Sequence, residues 1–209
     1  SKPMASEAMV STIDILPTIL DAVGLEPAGE MHGQSLRPVL QDADATWRPY
    51  LVGEFNCHGA RPFYPRRAIR DKRYKLIHNL LAGEAKPSTG IDGDPAYRIS
   101  QEPKYDGTAV RRAFNTFADP PEFELYDLEK DPIEFDTLAG KPEMRTVEER
   151  MKKALLDYRK RTDDPFLDRA FFEKIRKQAL SRNVAADVRR RTSAKPGRVT
   201  NPSHRQPPT

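Results

Sequence analysis

The chain has 209 residues, of which 37% are apolar and 32% charged, and its formal net charge is +4. This length allows one ordinary domain or a small domain with extensions, and no window approaches the roughly 18 apolar residues that a membrane span requires. The single cysteine, Cys57, excludes an internal disulfide framework and any multi-cysteine zinc site.

The two ends of the chain differ from its body. The start, SKPMASEAMV, has no apolar run of the secretory type, and the missing initiator Met favours a processed product or a fragment. Residues 181–209 hold one acidic residue, several arginines and little to bury, which predicts a disordered basic tail. Its arginine run could contact nucleic acid, but short basic termini are commonly only solvated. The rest is near neutral, so neither nucleic acid nor a membrane is expected as a partner.

The first predicted element is a helix from Asp14 to Val23, in the stretch STIDILPTILDAVGLEP. Asp14 can accept hydrogen bonds from the first free amides, Pro17 falls in the first turn, and Gly24 can end the helix. Isoleucine, leucine and valine side chains occupy two sides of this helix. That pattern is typical of a helix buried between two layers.

Strands follow the helix. YLVGEF predicts one strand, and RRAIRDKRYKLIHNL predicts a hairpin that turns at Asp71 and Lys72. Alternation along the hairpin predicts outward positions for its charges, Arg67, Arg70 and Lys75. Residues 81–119 are rich in Gly, Pro and Asp and predict a long insertion with one helical turn near residues 108–114. EFELYDL predicts a further strand.

A long amphipathic helix is predicted after Pro142, and it ends at Asp163 and Asp164, since the residue before a proline resists helix. The next stretch, FLDRAFFEKIRKQAL, predicts a helix whose apolar residues pack on the body, namely Phe166, Phe171, Phe172 and Ile175. Locally paired strands with a long helix across them indicate an α+β fold, with a small antiparallel sheet packed by that helix.

Four segments in this order resemble the C-terminal part of the sulfatase family: VSTIDILPTILDAVGL, HGQSLRPVL with WRPYLVGE, PRRAIRDKRYKLIHN, and ELYDLEKDPIE followed by LA. Within the family, the hairpin, the long insertion and the closing TDDPF are most similar to the N-sulfoglucosamine sulfohydrolase (heparan sulfamidase) branch. The resemblance implies an alkaline-phosphatase-like fold. Residues 1–45 would then end the large α/β domain, 46–180 would form the C-terminal subdomain with its insertion at 81–119, and 181–209 would be the tail.

The resemblance also implies catalysis by a formylglycine beside a calcium ion in the complete enzyme. Cys57 and Arg61 have the spacing of the family's C-x-P-S-R segment, but Gly59 and Ala60 depart from it, and Cys57 lies late in the chain. The aspartates at 42–44 and 163–164 are expected to cap turns rather than to bind a metal. Catalytic and metal-binding residues are therefore expected in a missing N-terminal part, and this chain alone is predicted to be inactive, with no cofactor bound.

Substrate contact is the role that the resemblance leaves for this chain. The segment after GE would lie at the mouth of the active site, with Glu54 and His58 as the first candidates and Asn56, Arg66 and Arg67 next. Arginine suits sulfate and carboxylate through its forked donors, and histidine could bond a sugar oxygen or nitrogen. The alternative for each is an ordinary solvated or ion-paired surface residue.

Two functions remain open from the sequence. The first is the C-terminal portion of a sulfatase that hydrolyses a sulfate ester or a sulfamate on a sugar or glycosaminoglycan. Family membership would imply export to a periplasm, a lysosome or the cell exterior. The second is a non-catalytic remnant or an acidic-sugar-binding module, because every catalytic element is absent from the 209 residues and the first helix would lack its covering layers.

Overall fold

The computed structural model describes residues 5–27, 29–57, 63–87 and 95–193, with only the backbone for 183–193. Its strands are β1 (Leu51–Phe55), β2 (Arg66–Arg70), β3 (Tyr74–Asn79) and β4 (Phe123–Asp127). Its α-helices are α1 (Ile15–Ala22), α2 (Arg37–Gln41), α3 (Ala96–Ser100), α4 (Ala109–Ala118), α5 (Arg145–Arg161) and α6 (Arg169–Ser193). Short 3-10 helices occupy Thr12–Asp14, Pro103–Tyr105, Pro142–Met144 and Pro165–Leu167. None of the described helices is long and apolar enough to cross a membrane.

The strands form one antiparallel sheet in the order β1-β2-β3-β4. The predicted strands and hairpin are confirmed, with Asp71 accepting backbone hydrogen bonds at the turn between β2 and β3. Helix α5 packs across one face of the sheet and completes a core of Ile69, Leu76, Leu125, Met151 and Leu155. Full burial of such side chains stabilises by about 1.5–3 kcal/mol each. The α+β prediction, a small antiparallel sheet packed by a long helix, is confirmed.

The insertion packs toward the other face of the sheet. Phe117 of α4 lies under the guanidinium of Arg66, whose carbon is 5.7 Å from the ring centroid. The helical turn predicted near residues 108–114 is confirmed, but the helix is longer than predicted because α4 runs to Ala118. Its N-cap is Thr108, whose side chain accepts a hydrogen bond from the Arg111 amide. Helix α3 was not predicted, because its five residues are too short for a periodic signal.

Helix α1 lies within the predicted limits of Asp14 and Val23 but does not have the predicted burial. The Asp14 side chain accepts from the Ser11 and Gln34 amides and not from the first free amides of the helix, so the predicted cap is wrong. Gly24 ends the helix with a φ of 71°, which glycine adopts without steric cost. The apolar side chains on its surface are 49–63% exposed: Ile13, Ile15, Leu16, Ile19 and Val23. The prediction of a helix buried between layers is thus wrong for this chain, because no described residues cover those side chains.

The last helix also extends beyond its prediction. Phe166 contacts Phe63, Phe171 and Phe172 through its ring, so the predicted aromatic packing exists at the start of α6. Residues 181–193 are helical, although the sequence predicts no regular structure from 181 onward. Alanine and arginine, which favour helix, are frequent in this stretch. Residues 194–209 lie outside the described residues.

Candidate functional site

Three of the five predicted contact residues meet at one end of the sheet. Glu54 of β1 lies opposite Arg67 of β2 in the antiparallel register. Asn56 follows β1 directly, and its carbonyl oxygen accepts a hydrogen bond of 2.9 Å from the Tyr64 amide. Strand pairing thus brings Glu54, Asn56 and Arg67 together, and we refer to these three residues as the Glu54 cluster.

Arg67 is the buried member of the Glu54 cluster. Only 1% of it is exposed, so the prediction that hairpin alternation turns its charge outward is wrong. It lies on the same side of β2 as the core residue Ile69, and its guanidinium carbon is 5.1 Å from the Phe166 ring centroid. Nε and Nη2 donate to the two carboxylate oxygens of Asp164, at 2.8 and 3.1 Å. Nη1 donates to Asn56 Oδ1 at 3.0 Å and to the Arg66 carbonyl.

Asp164 is the buried anion that this arginine requires. Its carboxylate also accepts from Arg159 Nε at 2.7 Å and from the Phe166 amide at 3.0 Å. Burial raises the pKa of Asp164, but hydrogen bonds from Arg67, the Phe166 amide and Arg159 outweigh it and hold that pKa at about 2. One carboxylate therefore joins β2, the end of α5 and the start of the Pro165–Leu167 turn.

Glu54 is the exposed anion of the Glu54 cluster. Its side chain is 42% exposed, and its Oε2 lies 3.8 Å from Arg67 Nε. That ion pair is longer than a hydrogen bond and partly screened by water, so it contributes little to stability. Two cations, Arg67 and Arg159, are therefore balanced by two anions, Asp164 and Glu54.

The other predicted contact residues lie elsewhere. Arg66 belongs to the opposite face of the sheet, where its guanidinium carbon lies 5.1 Å from the Tyr64 ring centroid, and its buried Nε has no hydrogen-bond partner among the described residues. His58 lies outside the described residues, as does Arg61. Cys57 is an exposed free thiol. The structure thus groups Glu54, Asn56 and Arg67 and separates Arg66 from them.

No sequence pattern indicates the partners of Arg67. Asp164 is 97 positions away along the chain, and its position before Pro165 indicated only a helix end and a cap. The capping part of that prediction is confirmed, since Asp164 accepts from the Phe166 amide. A buried arginine beside a capping aspartate is a tertiary contact that no local periodicity reveals.

His78 lies near the same buried charges, opposite Arg67 in the β2–β3 register. Its ring stacks on Phe123 with centroids 4.3 Å apart. Burial lowers the pKa of His78 to about 4, and the positive charges of Arg159, Lys152 and Arg67 act in the same direction. Glu122 lies 3.7 Å from Nε2, but its carboxylate is largely exposed and does not offset these effects. His78 is therefore neutral at pH 7.

The described part of the chain contains no cluster of side chains that could bind a metal ion. No group of three or more His, Cys, Asp or Glu side chains there could hold a metal ion. The aspartates at 42 and 164 serve as caps, because Asp42 Oδ1 accepts from the Asp44 amide and Asp164 from the Phe166 amide. The residues described thus do not fit a calcium site.

Comparison with known proteins identifies the class of this fold. The family described as "N-sulphoglucosamine sulphohydrolase, C-terminal" matches residues 1–106. An ulvan-active sulfatase of Formosa agariphila is 29% identical over 161 residues, which cover 76% of this chain and 30% of the sulfatase. N-sulphoglucosamine sulphohydrolase of Homo sapiens is 28% identical over 177 residues, which cover 78% of this chain and 34% of that enzyme.

A solved structure shows the same fold. The structure of BT4656 in complex with its substrate D-glucosamine-2-N,6-O-disulfate superposes with a TM-score of 0.50 at 23% identity, over 72% of this chain and 24% of that one. The chain thus has the fold of the C-terminal region of sulfatases. More narrowly, it belongs to the N-sulphoglucosamine sulphohydrolase C-terminal family, which matches half of its residues. It spans about a third of the length of these two curated relatives.

Proposed function

We propose that this chain is the substrate-contacting C-terminal portion of an enzyme that hydrolyses a sulfate ester or a sulfamate on a sugar. The observation that carries the proposal is the Glu54 cluster, in which Glu54 and Asn56 are exposed beside the buried cation Arg67. A carboxylate beside a carboxamide suits a ligand that carries both hydroxyl groups and sulfate oxygens, since the carboxylate accepts hydrogen bonds and the carboxamide can donate them. Relatives named for N-sulphoglucosamine and for ulvan support a sulfated sugar as substrate.

Within this proposal, Glu54 accepts hydrogen bonds from sugar hydroxyl or ammonium groups, and Asn56 donates to sulfate oxygens. His58 remains a proposed contact from the sequence. Arg67 acts on the ligand through Asn56, since its Nε, Nη1 and Nη2 donate to protein acceptors and only 1% of the residue is exposed. Arg66 is proposed only for a ligand that reaches the opposite face of the sheet.

The nucleophile, proposed to be a formylglycine, and its calcium ion belong to an N-terminal part outside these 209 residues. Two observations support that division. The relatives are about three times as long as the segment that matches this chain. The apolar side chains of α1 are exposed, which is expected of a surface that contacts another domain in the complete protein. In the complete enzyme a hydrated formylglycine would supply an activated oxygen nucleophile, and the cation beside it would neutralise charge on the sulfate oxygens.

The second candidate is a non-catalytic module that binds acidic sugars. The Glu54 cluster favours it as well, since exposed Glu54 and Asn56 beside Arg67 can bind a sugar without catalysing a reaction on it. The two candidates are separated by sequencing upstream of Ser1 and by assaying the complete gene product on an N-sulfated and an O-sulfated glucosamine. A C-x-[PA]-S-R segment, a paired aspartate and hydrolysis support the enzyme. Their absence, together with tight heparin binding by residues 1–209 at physiological salt, supports the module.

A further inference from the structure

Asn56 is held in a way that fixes which end of its carboxamide can meet a ligand. Arg67 Nη1 lies 3.0 Å from Asn56 Oδ1. A guanidinium has five N–H donors and no acceptor, so only the oxygen of the carboxamide can face it. The nitrogen Nδ2 then carries the two free N–H groups. Within the described residues Nδ2 makes no hydrogen bond, and Asn56 is exposed.

Arg67 cannot turn away from Asn56 without breaking a buried ion pair. Its Nε and Nη2 are both engaged by Asp164, which leaves Nη1 for Asn56 and the Arg66 carbonyl. Arg159 and the Phe166 amide occupy the remaining positions around the Asp164 carboxylate. The fork geometry of this bidentate pair fixes the plane of the guanidinium.

The backbone of Asn56 is held as well. Its carbonyl oxygen accepts from the Tyr64 amide at 2.9 Å, and Tyr64 is only 1% exposed. Both the main chain and the side-chain oxygen of Asn56 are thus tied to buried groups. The Nδ2 end of the carboxamide has no hydrogen-bond partner among the described residues.

We propose that Arg67 and Asp164 are positioning residues that fix the carboxamide of Asn56, so that this site presents N–H donors and selects ligands with acceptor-only oxygens, such as sulfate. This inference rests on the proposed function, in which Asn56 contacts the sulfated sugar. Sulfate and sulfamate oxygens only accept hydrogen bonds at neutral pH, so they match Nδ2. A rotated carboxamide would present Oδ1 and repel them.

The experiment measures orientation and binding separately, on the full 209-residue chain. The first readout is the ¹H–¹⁵N side-chain amide signal of Asn56 without ligand, in wild type, Arg67→Lys and Asp164→Asn. Lysine keeps the charge but loses the fork. We expect both variants to move this signal toward a free amide, while the control Arg70→Lys, on the other side of β2 and bonded to the Asp71 carbonyl, leaves it unchanged. An unmoved signal in Arg67→Lys overturns the proposal.

The second readout is the dissociation constant for D-glucosamine-2-N,6-O-disulfate, with unsulfated glucosamine as the neutral probe. Loss of one hydrogen bond to a charged group corresponds to roughly tenfold weaker binding, which we expect for Asn56→Ala and Arg67→Lys with the disulfate only. In the Asn56→Ala background, Arg67→Lys should have no further effect, because it acts through Asn56. Additive losses overturn the positioning role.

The outcomes for the two proposals differ. If wild type does not bind the disulfate, or if Asn56→Ala binds it as well as wild type, the proposed contact with substrate is wrong, and the amide signal alone decides the orientation. If Asn56→Ala weakens binding and Arg67→Lys does not, the proposed function stands and the positioning role is overturned. Near-UV circular dichroism shows whether each variant is folded. If Asp164→Asn does not fold, the amide signal and the binding of Arg67→Lys test the proposal without it.

Discussion

Gly33 lies so close to Ile13 that a Cβ atom built on it would be 2.0 Å from the Ile13 carbonyl oxygen. The contact is between two backbone segments, so no side chain can swing aside. Beside it, Asp14 Oδ1 accepts from the Gln34 amide at 3.1 Å and from Arg48 Nη2 at 2.5 Å. Gly33 is therefore needed for the residues around Gln34 to dock on the start of α1.

Replacing Gly33 with alanine should destabilise the chain by about 1–3 kcal/mol, the usual cost of overpacking, or detach the segment around Gln34. Urea unfolding measures the first result, and hydrogen exchange of the Gln34 amide measures the second. Gly53→Ala is the matched control, because nothing lies within 4 Å of its added Cβ and its φ is not positive. Equal stability of the two variants contradicts this prediction.

Replacing Asp164 with asparagine should cost about 3–5 kcal/mol at pH 7, because it leaves Arg67 and Arg159 buried without their anion. The folded pKa of Asp164, about 2, lies below its ordinary value of 3.8. Its stabilisation is thus complete above pH 4 and disappears as the pH falls toward 2, an effect of about 2 kcal/mol. Denaturant unfolding of wild type and Asp164→Asn from pH 2 to 5 measures it. A variant with the same pH slope as wild type contradicts the assignment.

His78→Phe should remove a second and separate pH effect. The folded pKa of His78, about 4, lies below its ordinary 6.5, so the unfolded chain binds a proton first as the pH falls. Stability should therefore decrease from pH 6.5 to pH 4 in wild type, and less so in the variant, which retains an aromatic ring against Phe123. An NMR titration should place the imidazole midpoint near pH 4. A midpoint near 6.5 would show that water reaches the ring.

Features that depend on neighbouring residues can be predicted from this sequence, whereas burial that depends on distant residues cannot. The hairpin turn at Asp71 and the glycine end of α1 at Gly24 follow from short-range chemistry, and both were predicted. Alternation along β2 predicts that the side chain of Arg67 points into solvent. It is buried instead, because Asp164, which lies 97 residues away in the chain, pairs with its charge. The burial of α1 was also predicted incorrectly, because periodicity shows that a face is apolar and not whether the chain contains its cover.

We expect the double variant Ile15→Ser/Ile19→Ser to change the free energy of unfolding of this chain by less than about 0.5 kcal/mol, since both side chains are 53% exposed. The same variant should self-associate less, because an exposed apolar patch is reduced. Light scattering and urea unfolding test these two statements. Leu155→Ser is the control that should unfold, as Leu155 is 2% exposed in the core. In the complete protein the double variant should instead be destabilising, and a neutral effect there contradicts the proposed domain contact.

Cys57→Ser in the complete gene product should leave most of the proposed sulfatase activity, whereas His58→Ala and Glu54→Gln should lower it. Cys57 is an exposed thiol beside Asn56, and the residues that follow it depart from the C-x-P-S-R segment. Glu54→Gln retains the side-chain shape but removes the charge that lies 3.8 Å from Arg67 Nε, so it should raise KM more than it lowers kcat. Steady-state kinetics on an N-sulfated glucosamine measure all three variants. Loss of activity in Cys57→Ser with normal His58→Ala would reverse the assignment and make Cys57 the functional residue of this segment.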